Sequence, residues 1–462
     1  MISFGTDGWR ARMDESFTLE NVSIVCQAIS NYIIDRGIED RGIFIGYDTR
    51  KNSDSFAKRC AEIFGGNGIK SFFPQRNCPT PVTAFYIRVR RACGAIMITA
   101  SHNPPEYNGI KFIPEYAGPA TKDITDKIED EIFNLKSIKS LNFENLEKED
   151  LLEFVDPSIE YIKHVKKFLD QNLNIKVCYD PLYGTGNGYI NTILSDLNCE
   201  VYTIHDEVDP NFGGLTPDPD PENLKDLVEC VKKTGAIIGV ATDGDADRLG
   251  VVDENGRFYN PNQIFSMLLE YLAEKGKKGA VVRTIATTHM LDRIAQNFNL
   301  KVYETPVGFK YVGELFREKD VLIGCEESGG FSIGGHIPEK DGILASLLVA
   351  NMVAEKGFLS EIYASLTEIY GEIYSERIGV YCEEKEKIDL ISKILAEKPD
   401  KILGKNVREI NTIDGLKIIL DDAWLLLRPS GTEPLFRIYA ESNDRDELKA
   451  LLKYGKNLVE KT

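Results

Sequence analysis

AIIGVATDGDADRLGVVDE (236–254) decides how this chain is read. Its first residues form an unbroken apolar run, its last five read as a second strand, and a loop of three aspartates and an arginine stands between them. Continuous rather than alternating apolar character marks a strand covered on both faces, as in largely parallel sheets. Ligands bind beyond the carboxyl ends of such strands. Asp243, Asp245 and Asp247 recur at every second position, so an extended loop can turn all three toward one hard cation, and carboxylate oxygens suit Mg²⁺. An EF-hand is rejected, because Arg248 stands where its ligands should continue. A solvated acidic turn is the plain alternative, but three carboxylates directly after an apolar strand repel one another, which favours the metal site. Arg248 beside them can hold a phosphate oxygen while the metal holds another.

Working outward, the same abrupt change from apolar run to polar loop recurs in GAIMITASHNPPEYNGIK (94–111), VLIGCEESGGFSIGGHIPEKDG (321–342) and AWLLLRPSGTEP (423–434). GIFIGYDT (42–49), IKVCYDP (175–181) and GAVVRT (279–284) are further strands. Leu19, Val22, Cys26, Ile29 and Ile33 fall at helical spacing, as do Leu448, Leu451, Leu452, Leu458 and Val459, and both helices should pack on a sheet. Strand and helix alternate almost throughout, which predicts an α/β fold. The Lys- and Glu-rich stretch 136–156 and the Asn255–Gly256 turn suggest breaks, and near Ser375 the pattern changes to strands at 376–382, 416–420, 424–428 and 435–440 with a closing helix. The expected units are 1–150, 151–255 and 256–374, three similar α/β domains, and 375–462, a smaller α+β domain. Four polar loops on four units suggest one shared cleft.

Taken singly, three of these loops read two ways. Ser101 either satisfies backbone in a turn or, beside a metal site and basic groups, accepts a phosphoryl group. Its adjacency to His102 is not read as a dyad, because neighbouring side chains in an extended segment diverge. Arg428, Ser430, Gly431 and Thr432, with Arg437 on the next strand, form either a phosphate cradle or an ordinary turn. Glu326 and Ser328 either bond sugar hydroxyls or satisfy their own loop. GTGNG (184–188) lacks the spacing of a phosphate-binding glycine loop and is read as a tight turn.

Composition limits the functions available. With 462 residues and 42% hydrophobic content the chain can bury several cores. Its 55 Lys and Arg against 73 Asp and Glu give a net charge of −18, which argues against nucleic acid or a membrane surface as partner. An anionic substrate must meet a local basic pocket. The nine cysteines show no C-x-x-C and read as reduced thiols. The N-terminus has no signal-peptide pattern and no run approaches a membrane span, so a cytoplasmic protein is expected.

FGTDGWR (4–10), TASHNPPEYNGIK (99–111), TDGDADR (242–248), CEESGG (325–330) with HIPEKDG (336–342), and RPSGTEP (428–434) together resemble the α-D-phosphohexomutases, the phosphoglucomutases and phosphomannomutases, over the whole chain and in the family's order. The resemblance implies an isomerase of four domains around a central cleft. Ser101 would carry the phosphoryl group and, with Asp243, Asp245 and Asp247, bind Mg²⁺. Lys111 would be the general acid/base, supported by Arg10, His102 and Arg248. Glu326 and Ser328 would bind the sugar, with Lys340, His336 and Lys310 as further substrate contacts. Arg428, Ser430, Gly431, Thr432 and Arg437 would hold the nonreacting phosphate. Glucose 1,6-bisphosphate would be activator and intermediate, and a sugar phosphate the only partner apart from a second copy of the chain if it dimerises. Gly330, where the mannose/glucose and glucosamine branches typically have His, points with HIPEKDG to the phosphoglucomutase branch. The alternatives are a phosphomannomutase or bifunctional mutase and, from other classes, an aspartyl-nucleophile phosphatase or a non-catalytic sugar-phosphate binder.

Overall fold

Four apolar runs become strands buried along their whole length: Gly94–Ile98, Ile238–Thr242, Ala280–Thr284 and Val321–Cys325. They belong to a computed structural model that describes residues 2–5, 7–382, 391–393, 395, 399–430 and 435–460. The first sheet is ordered Trp9–Arg12, Tyr107–Pro114, Gly94–Ile98, Ile43–Tyr47, Ser71–Pro74, Leu152–Val155. The second runs Phe258–Tyr259, Leu249–Asp253, Ile238–Thr242, Lys176–Asp180, Glu200–Thr203, and the third Val302–Thr305, Ala280–Thr284, Val321–Cys325, Phe331–Ile333.

One device repeats in all three sheets. A buried strand with a parallel neighbour turns straight back into an antiparallel one: Gly94–Ile98 into Tyr107–Pro114, Ile238–Thr242 into Leu249–Asp253, and Val321–Cys325 into Phe331–Ile333. The polar loops at 99–106, 243–248 and 326–330 are the turns of these hairpins. The fourth sheet is wholly antiparallel, ordered Tyr374–Tyr381, Leu435–Ser442, Ala423–Pro429, Leu416–Ile419, Glu409–Asn411. Its RPSGTEP stretch again joins two paired strands, and the helix Arg445–Glu460 packs on it. Three α/β units and a C-terminal α+β unit are therefore present.

The boundaries differ in detail from the spacing argument. Leu152–Val155 pairs parallel with Ser71–Pro74, so the first sheet continues past residue 150. Phe258–Tyr259 pairs with Val251 and Val252, so the second continues past 255. Leu19 does not join the buried stripe of the helix Leu19–Asp35; it is 50% exposed, while Val22, Cys26, Ile29 and Ile33 are fully buried. It is the first helical residue, just after the Thr18 cap, which accepts the Asn21 N–H.

The three α/β units have clusters of their own but also share one core. One cluster runs from Phe44 and Phe85 through Tyr161, Ile190 and Val240 to Phe331 and Leu347. The helix Gly342–Lys356 is apolar on nearly all sides and packs against both Ile238–Thr242 and Leu249–Asp253 of the preceding unit. The C-terminal unit has its own core, built on Leu416, Ile418, Leu425, Leu427, Ile438 and Leu451. It meets the third unit through a small cluster of Ile285, Ala286, Trp424, Leu426 and Tyr439. Among the described residues no single helix is long and apolar enough to cross a membrane.

Candidate active site

Ser101 sits in the first hairpin turn at φ +52°, a left-handed conformation rare for a side-chain-bearing residue. Its N–H donates to Thr99 Oγ1 at 2.8 Å and its carbonyl accepts from Arg50 Nη2 at 2.6 Å. The hydroxyl donates to Asp243 Oδ2 at 2.8 Å. Because the chain curls here, neighbouring side chains converge: His102 Nδ1 lies 3.3 Å from Ser101 Oγ. The expectation that the two diverge, which assumed an extended segment, is thereby corrected. Burial, reinforced by Arg248 and Arg10, holds the His102 imidazole well below its ordinary value, so it is neutral.

The second hairpin turn brings the three aspartates together. Asp243, Asp245 and Asp247 are fully buried and each offers an oxygen within 4.8 Å of the others. The backbone N–H groups of Asp247 and Arg248 donate to Asp243 Oδ1 at 2.9 and 3.0 Å, which fixes the turn. The GTGNG turn buttresses it: Thr185 N–H donates to the Gly244 carbonyl at 3.1 Å, and a Cβ on Gly184 would stand 2.8 Å from that oxygen. Asp245 Oδ1 and Asp247 Oδ1 are buried with no hydrogen-bond partner, though Arg248 Nε lies 3.9 Å from the latter. Orphaned carboxylate oxygens beside a serine hydroxyl are the donor set a hard divalent cation takes, so the residues fit a Mg²⁺ site. Burial first, then Asp245 and Asp247, pushes the Asp243 carboxyl well above its ordinary range, a repulsion such a cation relieves. Glu254 cannot join them, since it follows Leu249–Asp253 at the far end of the strand.

Two lysines cage the free side of this cluster. Lys111 Nζ contacts Asp7 and Asp245 at 2.9 Å and Asp247 at 3.0 Å; Lys340 Nζ contacts Asp247 at 2.8 Å and Asp7 at 3.1 Å. Burial opposes the charge on Lys111, but the three carboxylates outweigh it and keep the ammonium protonated. Arg10 lies 3.6 Å from Asp7 and donates to Asn103 Oδ1 at 2.8 Å. Arg248 reaches Asp218 at 3.7 Å.

The third hairpin turn and the fourth unit complete the cleft. Glu326 accepts the Gly308 N–H at 2.8 Å, which ties the sugar-loop candidate to TPVGFK (305–310). Gly330 lies against the Lys340 stem: a Cβ there would stand 2.7 Å from its Cδ. Ser328 is half-buried beside them. Lys310 is half-buried in the first turn of the helix Phe309–Glu318 and carries no ion pair among the described residues. Arg428 and Arg437 face each other directly across paired strands. Arg428 Nε donates to Asp414 Oδ2 at 2.7 Å, and the same oxygen accepts the Val307 N–H at 2.9 Å. Ser430 is buried and its N–H donates to the Leu435 carbonyl at 2.9 Å. Gly431 and Thr432 lie outside the described residues.

His336 is not at the cleft. Its ring is fully buried, with Nε2 2.8 Å from Asp341 Oδ2 and Nδ1 3.0 Å from His164 Nε2, and it packs among Phe85, Tyr161 and Phe168. Both nitrogens are engaged by the protein, so the expected substrate contact is corrected to a structural pin. Conversely, Asp7, Thr80 and Glu339 escaped the sequence reading. Asp7 lies in FGTDGWR, where only Arg10 was singled out. Thr80 donates to Asp245 Oδ2 at 2.6 Å from a segment with no motif of its own. Glu339, beside Lys340, is buried with one oxygen unpartnered and is pushed up to about 8 by burial first and then by Asp7.

Comparison with known proteins covers the whole architecture. Residues 1–139, 159–256 and 260–370 match the families described as Phosphoglucomutase/phosphomannomutase, alpha/beta/alpha domains I, II and III, and residues 378–454 match the Phosphoglucomutase/phosphomannomutase C-terminal domain. A phosphoglucomutase/phosphomannomutase of Thermococcus kodakarensis is 32% identical, over 99% of this chain and 98% of that protein. A probable phosphoglucosamine mutase of Methanosphaera stadtmanae is 33% identical, over 99% and 98%. The crystal structure of a putative phosphomannomutase from Thermus thermophilus superimposes with a TM-score of 0.86 at 32% identity, covering 99% of each chain.

Proposed function

The chain belongs to the phosphoglucomutase/phosphomannomutase family, whose members are phosphohexomutases, and from that premise we propose that it is a phosphoglucomutase interconverting glucose 1-phosphate and glucose 6-phosphate. The observation that carries the mutase reading is the Ser101 hydroxyl held at 2.8 Å on Asp243, inside a triad of buried aspartates with orphaned oxygens. A phosphatase with an aspartyl nucleophile has no use for that hydroxyl.

On this reading Ser101 carries a phosphoryl group and gives it to the free hydroxyl of the bound sugar phosphate. The bond from phosphorus to Ser101 Oγ breaks as the bond to the sugar oxygen forms, and the proton that the sugar hydroxyl loses is balanced by the one that Ser101 Oγ takes up. The bisphosphosugar then turns around and returns its other phosphoryl group to Ser101. Mg²⁺ bound by Asp243, Asp245 and Asp247 would neutralise phosphoryl charge. Lys111, kept cationic by its carboxylate cage, stands beside the transferring oxygens as acid and charge partner. The proton that leaves Ser101 Oγ when phosphate returns has an acceptor at hand in the neutral Nδ1 of His102 and is balanced by the one taken up at the sugar oxygen that phosphorus leaves. Glu326 and Ser328 orient the sugar hydroxyls, while Arg428, Arg437 and Ser430 hold the idle phosphate, with Lys310 and Lys340 as further cations.

Glucose as the sugar rests on the Gly330–Lys340 packing. The absence of a side chain at 330 is what lets the Lys340 stem lie there and bring its ammonium to Asp7 and Asp247. The test is initial rates on glucose 1-phosphate, mannose 1-phosphate and glucosamine 1-phosphate, with Mg²⁺ and trace glucose 1,6-bisphosphate, for wild type and Ser101→Ala. Preference for glucose 1-phosphate, lost in Ser101→Ala, is expected. Faster turnover of another sugar overturns the specificity, and an active Ser101→Ala overturns the mutase reading.

A further inference from the structure

Arg50 belongs to none of the four polar loops, yet its side chain is wholly buried directly behind Ser101. Its guanidinium donates to four backbone carbonyls of one hairpin turn: Ser101 and Asn103 at 2.6 Å, Pro104 at 2.7 Å and Tyr107 at 3.1 Å. Asp48 holds it from the other side, with Oδ2 3.1 Å from Arg50 Nε, and Asp48 Oδ1 accepts from Arg50 N–H and Ser53 Oγ. Asn108, at the start of the returning strand, donates to the same Ser53 hydroxyl at 2.9 Å. The face of the Phe212 ring, from the second unit, covers the guanidinium at 5.0 Å.

We propose that Arg50 is a positioning residue for phosphoryl transfer, holding the 101–107 turn so that Ser101 keeps the left-handed conformation that aims its Oγ at Asp243; its effect on turnover rests on the mutase reading above. A serine at φ +52° keeps that conformation only if its surroundings impose it. Four carbonyls gathered on one planar, rigid cation impose it in a way that a compact ammonium cannot. The guanidinium touches no position open to substrate, so it acts on the transfer step rather than on sugar binding. Since Phe212 closes the pocket, the turn is aimed only when the first two units are packed together.

Arg50→Lys keeps a buried cation opposite Asp48 and loses the fork. Its kcat should fall about 100-fold, the scale of roughly 1 Å of misplacement. KM for glucose 1-phosphate should stay within about threefold, and the rate at which glucose 1,6-bisphosphate phosphorylates Ser101, followed by intact mass, should fall in parallel with kcat. A kcat within twofold of wild type, or a loss confined to KM, overturns the proposal. Hydrogen exchange of the 101–107 amides tests the anchoring with no substrate present. Faster exchange in that segment alone supports it, and unchanged exchange overturns it. A wild-type protein that takes no phosphoryl group on Ser101 would overturn the mutase reading and the effect on turnover with it, whereas the exchange result would still decide the anchoring.

Discussion

Asp245 divides its two oxygens between order and function. Oδ2 accepts from Thr80 Oγ1 at 2.6 Å and Lys111 Nζ at 2.9 Å, while Oδ1 has no partner. Thr80 therefore sets which oxygen is left for a cation. Thr80→Val, nearly isosteric, should weaken Mg²⁺ binding by roughly 5-fold, the scale of one hydrogen bond of about 1 kcal/mol; calorimetric titration with MgCl₂ measures it, and an unchanged affinity removes Thr80 from the site. Glu326 yields a pH effect. Burial first and Glu327 next push its carboxyl up to about 7, against an unfolded value of about 4.3. A carboxyl raised on folding favours the fold while protonated, so its contribution is whole below about pH 4 and is lost as pH rises through about 7. Glu326→Gln, which still accepts from Gly308, should melt higher than wild type at pH 8 and together with it at pH 4. Parallel melting curves at both pH values would show that Glu326 is not held neutral. At this scale the aspartates, Ser101 and Lys111 were legible because the motif puts them together in the chain. Thr80 and Arg50 were not, because nothing in their own neighbourhoods marks them, and Asp7 was passed over beside Arg10 in a motif that does not say which of its residues meets the cluster.

At the level of elements, the hairpin repeated in the α/β sheets puts chemistry where the sheet itself needs no hydrogen bonds. The turn after Val321–Cys325 shows how tight the fit is: a Cβ on Gly330 would stand 2.7 Å from Lys340 Cδ and 2.9 Å from its Cγ. A flexible stem can move aside at little cost in stability, but the ammonium then leaves Asp7 and Asp247. Gly330→Ala is expected to keep the wild-type melting temperature and raise KM for glucose 1-phosphate roughly tenfold, the scale of one charge-assisted contact. If KM holds and only the melting temperature drops, Lys340 is not a substrate contact. The strands were legible from continuous apolar runs, and the C-terminal helix from its spacing. Glu409–Asn411 was not, since three polar-flanked residues carry no period and become a strand only by pairing with Leu416–Ile419. Leu152–Val155 likewise lies within the charged stretch 136–156 that reads as a linker, and Ser71–Pro74 recruits it.

Across the whole molecule, the division of cores predicts where a hinge would lie. The three α/β units share one hydrophobic cluster, whereas the C-terminal sheet keeps its own and meets the rest through a small apolar patch, the Val307–Asp414–Arg428 bridge and polar contacts such as Lys417 Nζ to Glu304 at 3.1 Å and His289 N–H to Glu441 at 2.9 Å. An intermediate that must turn around needs a cleft able to loosen, and a unit with a core of its own is the one expected to move. Small-angle scattering should show contraction on adding glucose 1,6-bisphosphate, and identical curves would sink the hinge. Asp414→Ala removes the bridge and should speed hydrogen exchange at 305–308 with the C-terminal core unaffected; no change there means that the remaining contacts, Lys417 to Glu304 and His289 to Glu441 among them, hold the units without it.

The chain's local order determined the strands, the polar turns that end them and the residue types in those turns, because apolar runs, periodicity and motif spacing are properties of neighbours. Only the tertiary structure decided which turns meet. Ser101 touches Asp243 across 142 residues and Lys340 touches Asp7 across 333, contacts set by how whole units pack rather than by any local pattern. The same packing turned His336 away from substrate and into a buried pair with His164, and put Arg50 behind the serine. A polar side chain's role depends on whether its surroundings leave an atom unpaired toward the cleft, and that is settled only when the sheets are assembled.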